Sequence, residues 1–234
     1  MYEPDSKVIL VWIRGDVTAA VAEDGAPWVD QPARVVEHAR ELAERGCDVE
    51  IWTRLCGDGR QAVRILGRVE VRRFACGDCG SVRRPSPCEY VSEFVSRAGE
   101  RLAELAGSIP TLVGHSWDAG IAVRQLAVRF GLPMVFVPHV LGLEEHPVPP
   151  GDGTAARELA RRVREERETC RAASRVVART VEQREMLIAE PYAVRLERVA
   201  LSRAGTRASR LADRPLGVES RLVSASARLE DCVL

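Results

Sequence analysis

Two histidines, a serine and an aspartate define the chemistry this sequence could perform. His115 and Ser116 follow the apolar run Thr111-Leu-Val-Gly114, with Trp117, Asp118 and Gly120 directly after; His139 follows Met134-Val-Phe-Val-Pro138 and precedes Val-Leu-Gly142. If both runs are strands of one βαβ unit, the imidazoles stand side by side at their carboxyl ends, where open α/β sheets bind ligands. Two chemistries are then open. Ser116 is a nucleophile beside a base on a strand-to-helix turn, or the imidazoles face a ligand and Ser116 is only the turn.

The nucleophile reading meets two obstacles. In the Gly-x-Ser-x-Gly turn of α/β-hydrolases the residue two after the serine must be small so that the backbone can fold back. Asp118 occupies that position. A hydrolase of this kind also needs an acid and then a histidine downstream, yet the last histidine is His146, only about 30 residues on. His115 is therefore favoured as the working residue. A metal centre has weak support: Cys76-Gly-Asp-Cys79-Gly80 resembles one half of a zinc knuckle, but Cys56 and Cys88 are the only neighbours, at irregular spacing. No metal site is expected.

The elements that must carry these residues alternate. Val8–Ile13 is a continuous apolar run, as in a buried parallel strand. Pro32 opens a helix with Val35, Val36, Ala39, Leu42 and Ala43 at helical spacing and Gly46 beyond its end. Asp48–Thr53 reads as a second strand and Leu66–Phe74 as a third, more exposed one. Helical patterns over Tyr90–Ala106, Ala119–Phe130, Ala155–Ala173 and Val181–Ala189 interleave with strands at Thr111–Val113, Met134–Val137 and Arg175–Ala178. This rhythm predicts an α/β fold, a Rossmann-like doubly wound parallel sheet. From Ala193 to Leu234 there is no aromatic residue and no sustained period. That stretch is expected to be a poorly packed or marginally helical tail after a domain spanning residues 1–192.

Composition narrows the partners. The 234 residues suffice for a sizeable core, and 34 basic against 34 acidic residues give no net charge. Nothing resembles the basic stripe of a nucleic-acid binder. Lys7 is the sole lysine, so the basic residues are nearly all arginine. The apolar runs fall short of the roughly 20 residues that span a bilayer, and Met1-Tyr-Glu-Pro-Asp-Ser6 is no signal peptide. With seven cysteines, an odd number, a disulfide framework is not expected. A cytoplasmic protein is the expectation.

Several ordered segments resemble the amino-terminal domain of family-4 glycosyltransferases of the GT-B architecture, in the sucrose-phosphate-synthase-like branch. His38-Ala-Arg-Glu-Leu-Ala-Glu-Arg-Gly46 with Asp48-Val-Glu-Ile-Trp-Thr-Arg54 is similar to that family's first helix and second strand. Gly114-His-Ser-Trp-Asp-Ala-Gly120 resembles its His-x-x-Asp-Ala-Gly turn, and Leu132–His139 with Leu141-Gly142 its next strand and loop. Glu165-Glu-Arg-Glu168, Ala173–Ala178 and Glu182 resemble its closing helix, strand and helix.

The resemblance implies a retaining transfer of sugar from a nucleotide sugar to a sugar or sugar-phosphate acceptor, with the nucleotide sugar as co-substrate and no other cofactor. It implies His115 as the catalytic residue, against the transferring sugar or leaving phosphate. Asp118 and His139 would hold acceptor hydroxyls, Trp117 would wall the cleft, and Gly142 belongs to the binding loop. Asp118 is equally placed to cap the following helix, and His139 to be a loop histidine. Two departures stand out. Val29-Asp30 replaces the family's Gly-Gly pair, where bare backbone approaches phosphate, and nothing after Tyr192 resembles the donor-binding half. The expectation is a single GT-B half that works with a separate donor-binding subunit, or a non-catalytic acceptor-binding module.

Overall fold

In the computed structural model, residues 6–14, 17, 30–55, 62–66, 69–77, 87–105, 107–146 and 153–202 are described. Strands β1 (Lys7–Trp12), β2 (Asp48–Arg54), β3 (Ala62–Leu66), β4 (Val69–Phe74), β5 (Thr111–His115), β6 (Met134–Val137), β7 (Arg175–Ala178) and β8 (Val199–Leu201) form one sheet. Its order is β3-β4-β2-β1-β5-β6-β7-β8. All neighbours are parallel except β3, which runs antiparallel to β4. The order reverses at β1: the chain moves outward through β2 and β4, then returns to place β5 on β1's other side. Helices between these strands must therefore lie on opposite faces, given right-handed crossovers.

They do. Helix α1 (Asp30–Glu44) presents Val35, Ala39 and Leu42 to Val8, Leu10 and Trp12 of β1 and Val113 of β5. Helices α2 (Pro87–Glu104), α3 (Trp117–Phe130) and α5 (Thr154–Ala172) cover the other face, where Ile9, Val11, Leu112 and Phe136 meet Phe94, Ala122, Leu126 and Cys170. A single turn, α4 (Gly142–Glu145), follows β6, and α6 (Val181–Ile188) follows β7. Among the described residues no helix is long and apolar enough to cross a membrane.

Three details differ from the sequence reading. The expected third strand is the second arm of a hairpin, β3 preceding β4 as an antiparallel edge; the alternation at Val69 and Val71 marks β4 alone. The turn α4 has no periodic signal because four residues are too few to show one. The sheet continues beyond the expected boundary at Tyr192: after a 3-10 turn at Leu196–Arg198, Val199–Leu201 pairs with Val176–Ala178. A three-residue edge strand carries too little alternation to be seen in composition. Residues 203–234 of the expected tail lie outside the described residues.

The two ends of the sheet differ in their charge chemistry. At the amino edge, buried Glu50 meets Lys7 at 2.7 Å and Arg72 at 3.3 Å and accepts a 2.7 Å bond from Trp52 Nε1. Its charge is met by cations. At the carboxyl edge, past β1 and β5, Asp118 meets Arg14 at 3.1 Å and three imidazoles lie in contact.

Candidate functional site

The reversal of strand order puts the carboxyl ends of β1 and β5 beside each other, and the turn after β5 is shaped by two glycines. A Cβ on Gly114 would lie 3.0 Å from Gly120 Cα and 3.1 Å from Gly120 N, and a Cβ on Gly120 would lie 2.7 Å from Phe136 Cε2. Strand and helix can touch only without those side chains. Between them Ser116 takes φ 77° and ψ 163°, a region favourable only to glycine and costing about 1–3 kcal/mol elsewhere. The neighbours hold it: Ser116 N donates to Val137 O at 2.9 Å, and Gly120 N to Ser116 O at 2.8 Å.

Asp118 gathers the other bonds at this turn. Its carboxylate, 1% exposed, accepts from Ser116 Oγ, from Ala119 N at 2.9 Å, from Arg14 Nε at 3.1 Å and from Tyr90 Oη at 3.3 Å. Asp118 is the second residue of α3 rather than its N-cap, which is Ser116 and has no side-chain capping bond. The carboxylate bonds the first turn of α3 and also holds Arg14, whose side chain is 36% exposed at the end of β1. Burial, followed by the Asp118 charge, pushes the Tyr90 hydroxyl far above its ordinary value.

His115 stands on the α1 side of β5 at the centre of three imidazoles. His38 Nδ1 and His115 Nε2 are 3.2 Å apart, and His115 Nδ1 and His139 Nε2 are 2.9 Å apart. His115 is 2% exposed and His139 3%. Burial presses the His115 pKa well below its ordinary value, reinforced by His139 and His38. Burial, then Arg179, Arg34, His38 and Arg14, brings His139 down to about 3. All of these causes favour neutral rings at pH 7.

The loop that carries His139 is anchored from two sides. Gln183 Nε2 donates to His139 O at 3.1 Å and to Glu144 Oε2 at 2.7 Å, and Gln183 Oε1 accepts from Arg179 N at 2.8 Å. On the other side Glu166 of α5, 0% exposed, accepts from Gly142 N at 3.0 Å, Arg162 Nε at 2.9 Å and Tyr192 Oη at 2.6 Å. Arg162 also bonds Glu145, donates to Val140 O at 2.8 Å and stacks 5.8 Å over Trp117. Burial pushes the Glu166 carboxyl up, against the pull of Arg162, Tyr192 and Gly142.

The structure thus brings His115 and His139 into contact and sets Asp118 on the same turn, with Trp117 beside Arg162 rather than beside the histidines. Gly142 spends its N–H on Glu166, and a Cβ there would crowd Leu159 at 3.3 Å. Four participants escaped the sequence reading: Arg14, His38, Tyr90 and Glu166. A signal existed for His38, which falls with Val35 and Leu42 on the apolar stripe of α1, where a polar residue is an exception. Glu166 lies likewise on the buried stripe of α5 with Leu159, Thr169 and Cys170. Cys76 is buried and Cys79 lies outside the described residues; among those described, no cluster of three or more His, Cys, Asp or Glu is arranged to hold a metal.

The hydrolase alternative loses its geometry here, because Ser116 Oγ donates to Asp118 rather than to His115. The sheet is of the Rossmann-like, GT-B type. The fold matches sucrose-phosphate synthase from Thermosynechococcus elongatus with a TM-score of 0.65 at 19% identity, over 84% of this chain and 47% of that one. The chain belongs to the Glycosyl transferase 4-like domain family, whose model matches residues 31–205. Relatives include a D-inositol 3-phosphate glycosyltransferase of Thermobifida fusca, 31% identical over 66% of this chain and 36% of that protein. A mannosylfructose-phosphate synthase of Agrobacterium fabrum is 26% identical over 58% of this chain and 30% of that protein. The chain spans about a third of the length of these relatives.

Proposed function

We propose that this chain is the acceptor-binding half of a cytoplasmic retaining glycosyltransferase, which passes a sugar from a nucleotide sugar to a sugar or sugar-phosphate acceptor. The observation that carries the reading is the polar cluster of His115, His139 and Arg14 at the strand-order reversal of a glycosyltransferase 4-like domain. Ligands of open α/β sheets bind at that place. In this reading His115 is the catalytic histidine at the centre of the cleft, and His139 meets the acceptor. Asp118 acts through the Arg14 that it holds, Trp117 forms the rim, and Gly142 keeps the His139 loop on α5. A donor-binding domain or separate subunit supplies the nucleotide site. Relatives named D-inositol 3-phosphate glycosyltransferase and mannosylfructose-phosphate synthase make a phosphorylated polyol or sugar the natural acceptor to try first.

The test is transfer itself. The full chain, alone and with the donor-binding half of a family-4 glycosyltransferase added as a separate protein, is incubated with UDP- or GDP-glucose and inositol 3-phosphate or a hexose phosphate, and nucleotide release is measured. Acceptor-dependent release that disappears in His115→Ala supports the reading. Acceptor that binds with no release in any combination supports a binding module, and release that persists in His115→Ala removes His115 from the chemistry.

A further inference from the structure

The loop between β6 and α4 begins in a turn of uncommon form. Val140 N donates to Pro138 O at 2.7 Å, which closes a three-residue γ-turn around His139, and His139 has φ 59°. A γ-turn whose central residue has positive φ is the rare, strained form, and a residue other than glycine persists in that region only where its surroundings hold it. Strain of this kind collects at ligand sites. The turn delivers the imidazole to His115, with nitrogens 2.9 Å apart and ring centroids 5.1 Å apart.

The hold on His139 itself comes from helix α6. Among the described residues, Gln183 supplies the hydrogen bond to the His139 carbonyl, Nε2 to O at 3.1 Å; Arg162 and Glu166 grip Val140 O and Gly142 N, further along the loop. Gln183 is 2% exposed, and its amide is used at both ends. A backbone N–H can only donate, so the atom that Arg179 N meets at 2.8 Å is the amide oxygen. The amide nitrogen then faces two acceptors, His139 O and, at 2.7 Å, Glu144 Oε2. The position therefore calls for an amide. A carboxylate there would set acceptor against acceptor, and an apolar side chain would leave buried groups unpaired. The start of α6 fixes the residue in turn, since Gln183 N donates to Thr180 Oγ1, the helix cap, at 3.1 Å.

We propose that Gln183 is a positioning residue for His139: by taking the His139 carbonyl it holds the strained turn that presents the imidazole to His115, and so sets ligand affinity without touching the ligand. The link to an acceptor rests on the glycosyltransferase reading. The hold on the turn stands independently of it.

The full chain, isotope-labelled for NMR, is compared with the exchange variant Gln183→Glu/Glu144→Gln, with Gln183→Met and with Thr180→Ala. The exchange keeps the net charge, acceptors for Arg179 N and Leu141 N, and a bond between the two side chains with donor and acceptor reversed; it removes the donor to His139 O. Gln183→Met removes the same donor without adding charge. Thr180→Ala removes the cap of α6 and touches no bond of His139. Wild type and Thr180→Ala should show a left-handed His139 in the coupling between its amide and Hα protons, and cross-relaxation between the His115 and His139 rings; both Gln183 variants should lose both signals. Signals intact in both Gln183 variants, or lost equally in Thr180→Ala, overturn the positioning role. Affinity for inositol 3-phosphate should fall about fivefold in the exchange variant and hold in Thr180→Ala, the change that about 1 kcal/mol of lost hydrogen bonding gives. Equal affinity throughout overturns the link from Gln183 to the ligand. A wild type that binds no inositol 3-phosphate, while its turn depends on Gln183, sinks the acceptor reading alone.

Discussion

Removing the Glu166 carboxylate should be the most costly single change in the helix α5 interface, because it strands a buried cation and frees the loop carrying His139. Glu166 accepts from Gly142 N, Arg162 Nε and Tyr192 Oη, and its side chain has no exposure. Breaking a buried ion pair by deleting one partner costs about 3–5 kcal/mol. Arg162 retains Glu145 and Val140 O, which places Glu166→Ala toward the lower end, at about 3 kcal/mol. Glu166→Gln preserves the hydrogen-bonding shape and removes the charge, so it should cost less, about 1–2 kcal/mol. Urea unfolding of the wild type, both variants, Arg162→Met and the Arg162→Met/Glu166→Ala double variant gives the free energies. With a slope of about 2–3 kcal/mol per molar for a domain of this size, Glu166→Ala should lower the midpoint by about 1–1.5 M. The double variant should cost at least about 1 kcal/mol less than the sum of the singles, since the second deletion removes a charge already stranded. A Glu166→Ala cost below about 1 kcal/mol, or strictly additive singles, would refute this account of the interface.

Two further outcomes follow from the turn and the histidines. Ser116→Gly and Ser116→Ala both lose the bond to Asp118, but only glycine relieves φ 77°; the glycine variant should be more stable by about 1 kcal/mol, and equal stability would show that the turn is unstrained. For His115 and His139 the folded pKa lies below the unfolded value of about 6.5. The unfolded state therefore binds the extra protons, so the stabilisation is complete above pH 6.5 and falls as pH drops toward the folded values. His139, brought down to about 3, loses about 2 kcal/mol by pH 5 and His115 acts in the same direction, diminished by Glu166, whose raised carboxyl acts in the opposite sense. Unfolding free energies at pH 7.5 and 5 measure the slope; His139→Phe should roughly halve it, and a slope unchanged in that variant would deny His139 its buried neutral state.

Much of the architecture was legible because it is written in periods. Met134–Val137 and Arg175–Ala178 fall where their apolar runs end, and the helices α1, α2, α3, α5 and α6 follow the 3.6-residue stripes of their sequences. What escaped was short or paired by distant contacts. β3 and β8 are edge strands, which need only one neighbour and half a pattern; α4 is a single turn held by Glu144, Glu166 and Gln183. The site was half legible for a related reason. His115, Asp118 and His139 stand beside glycines and strand ends that mark a turn, whereas His38 and Glu166 sit inside amphipathic stripes. Arg14 and Tyr90 reach Asp118 across separations of 104 and 28 residues. Sequence spacing cannot announce that meeting; the order of the strands creates it.

The same strand order explains why the cleft's polar groups divide as they do. Asp118 and His115 lie within three residues of one another, yet alternation along β5 and the turn at Ser116 send them to opposite sides of the sheet edge. Asp118 joins Arg14 and Tyr90 on the α2 and α3 side, while His115 joins His38 and His139 on the α1 side. One side is a charged cluster whose guanidinium is partly exposed, suited to an anion. The other is neutral, buried and directional, suited to a hydroxyl. A ligand that carries both groups, as a phosphorylated polyol does, would span β1 at the point where the strand order reverses, and a ligand with only one would engage half the cleft. Arg14→Gln should therefore weaken binding of an inositol phosphate more than binding of inositol itself. Equal losses for the two ligands would show that Arg14 serves only to hold Asp118.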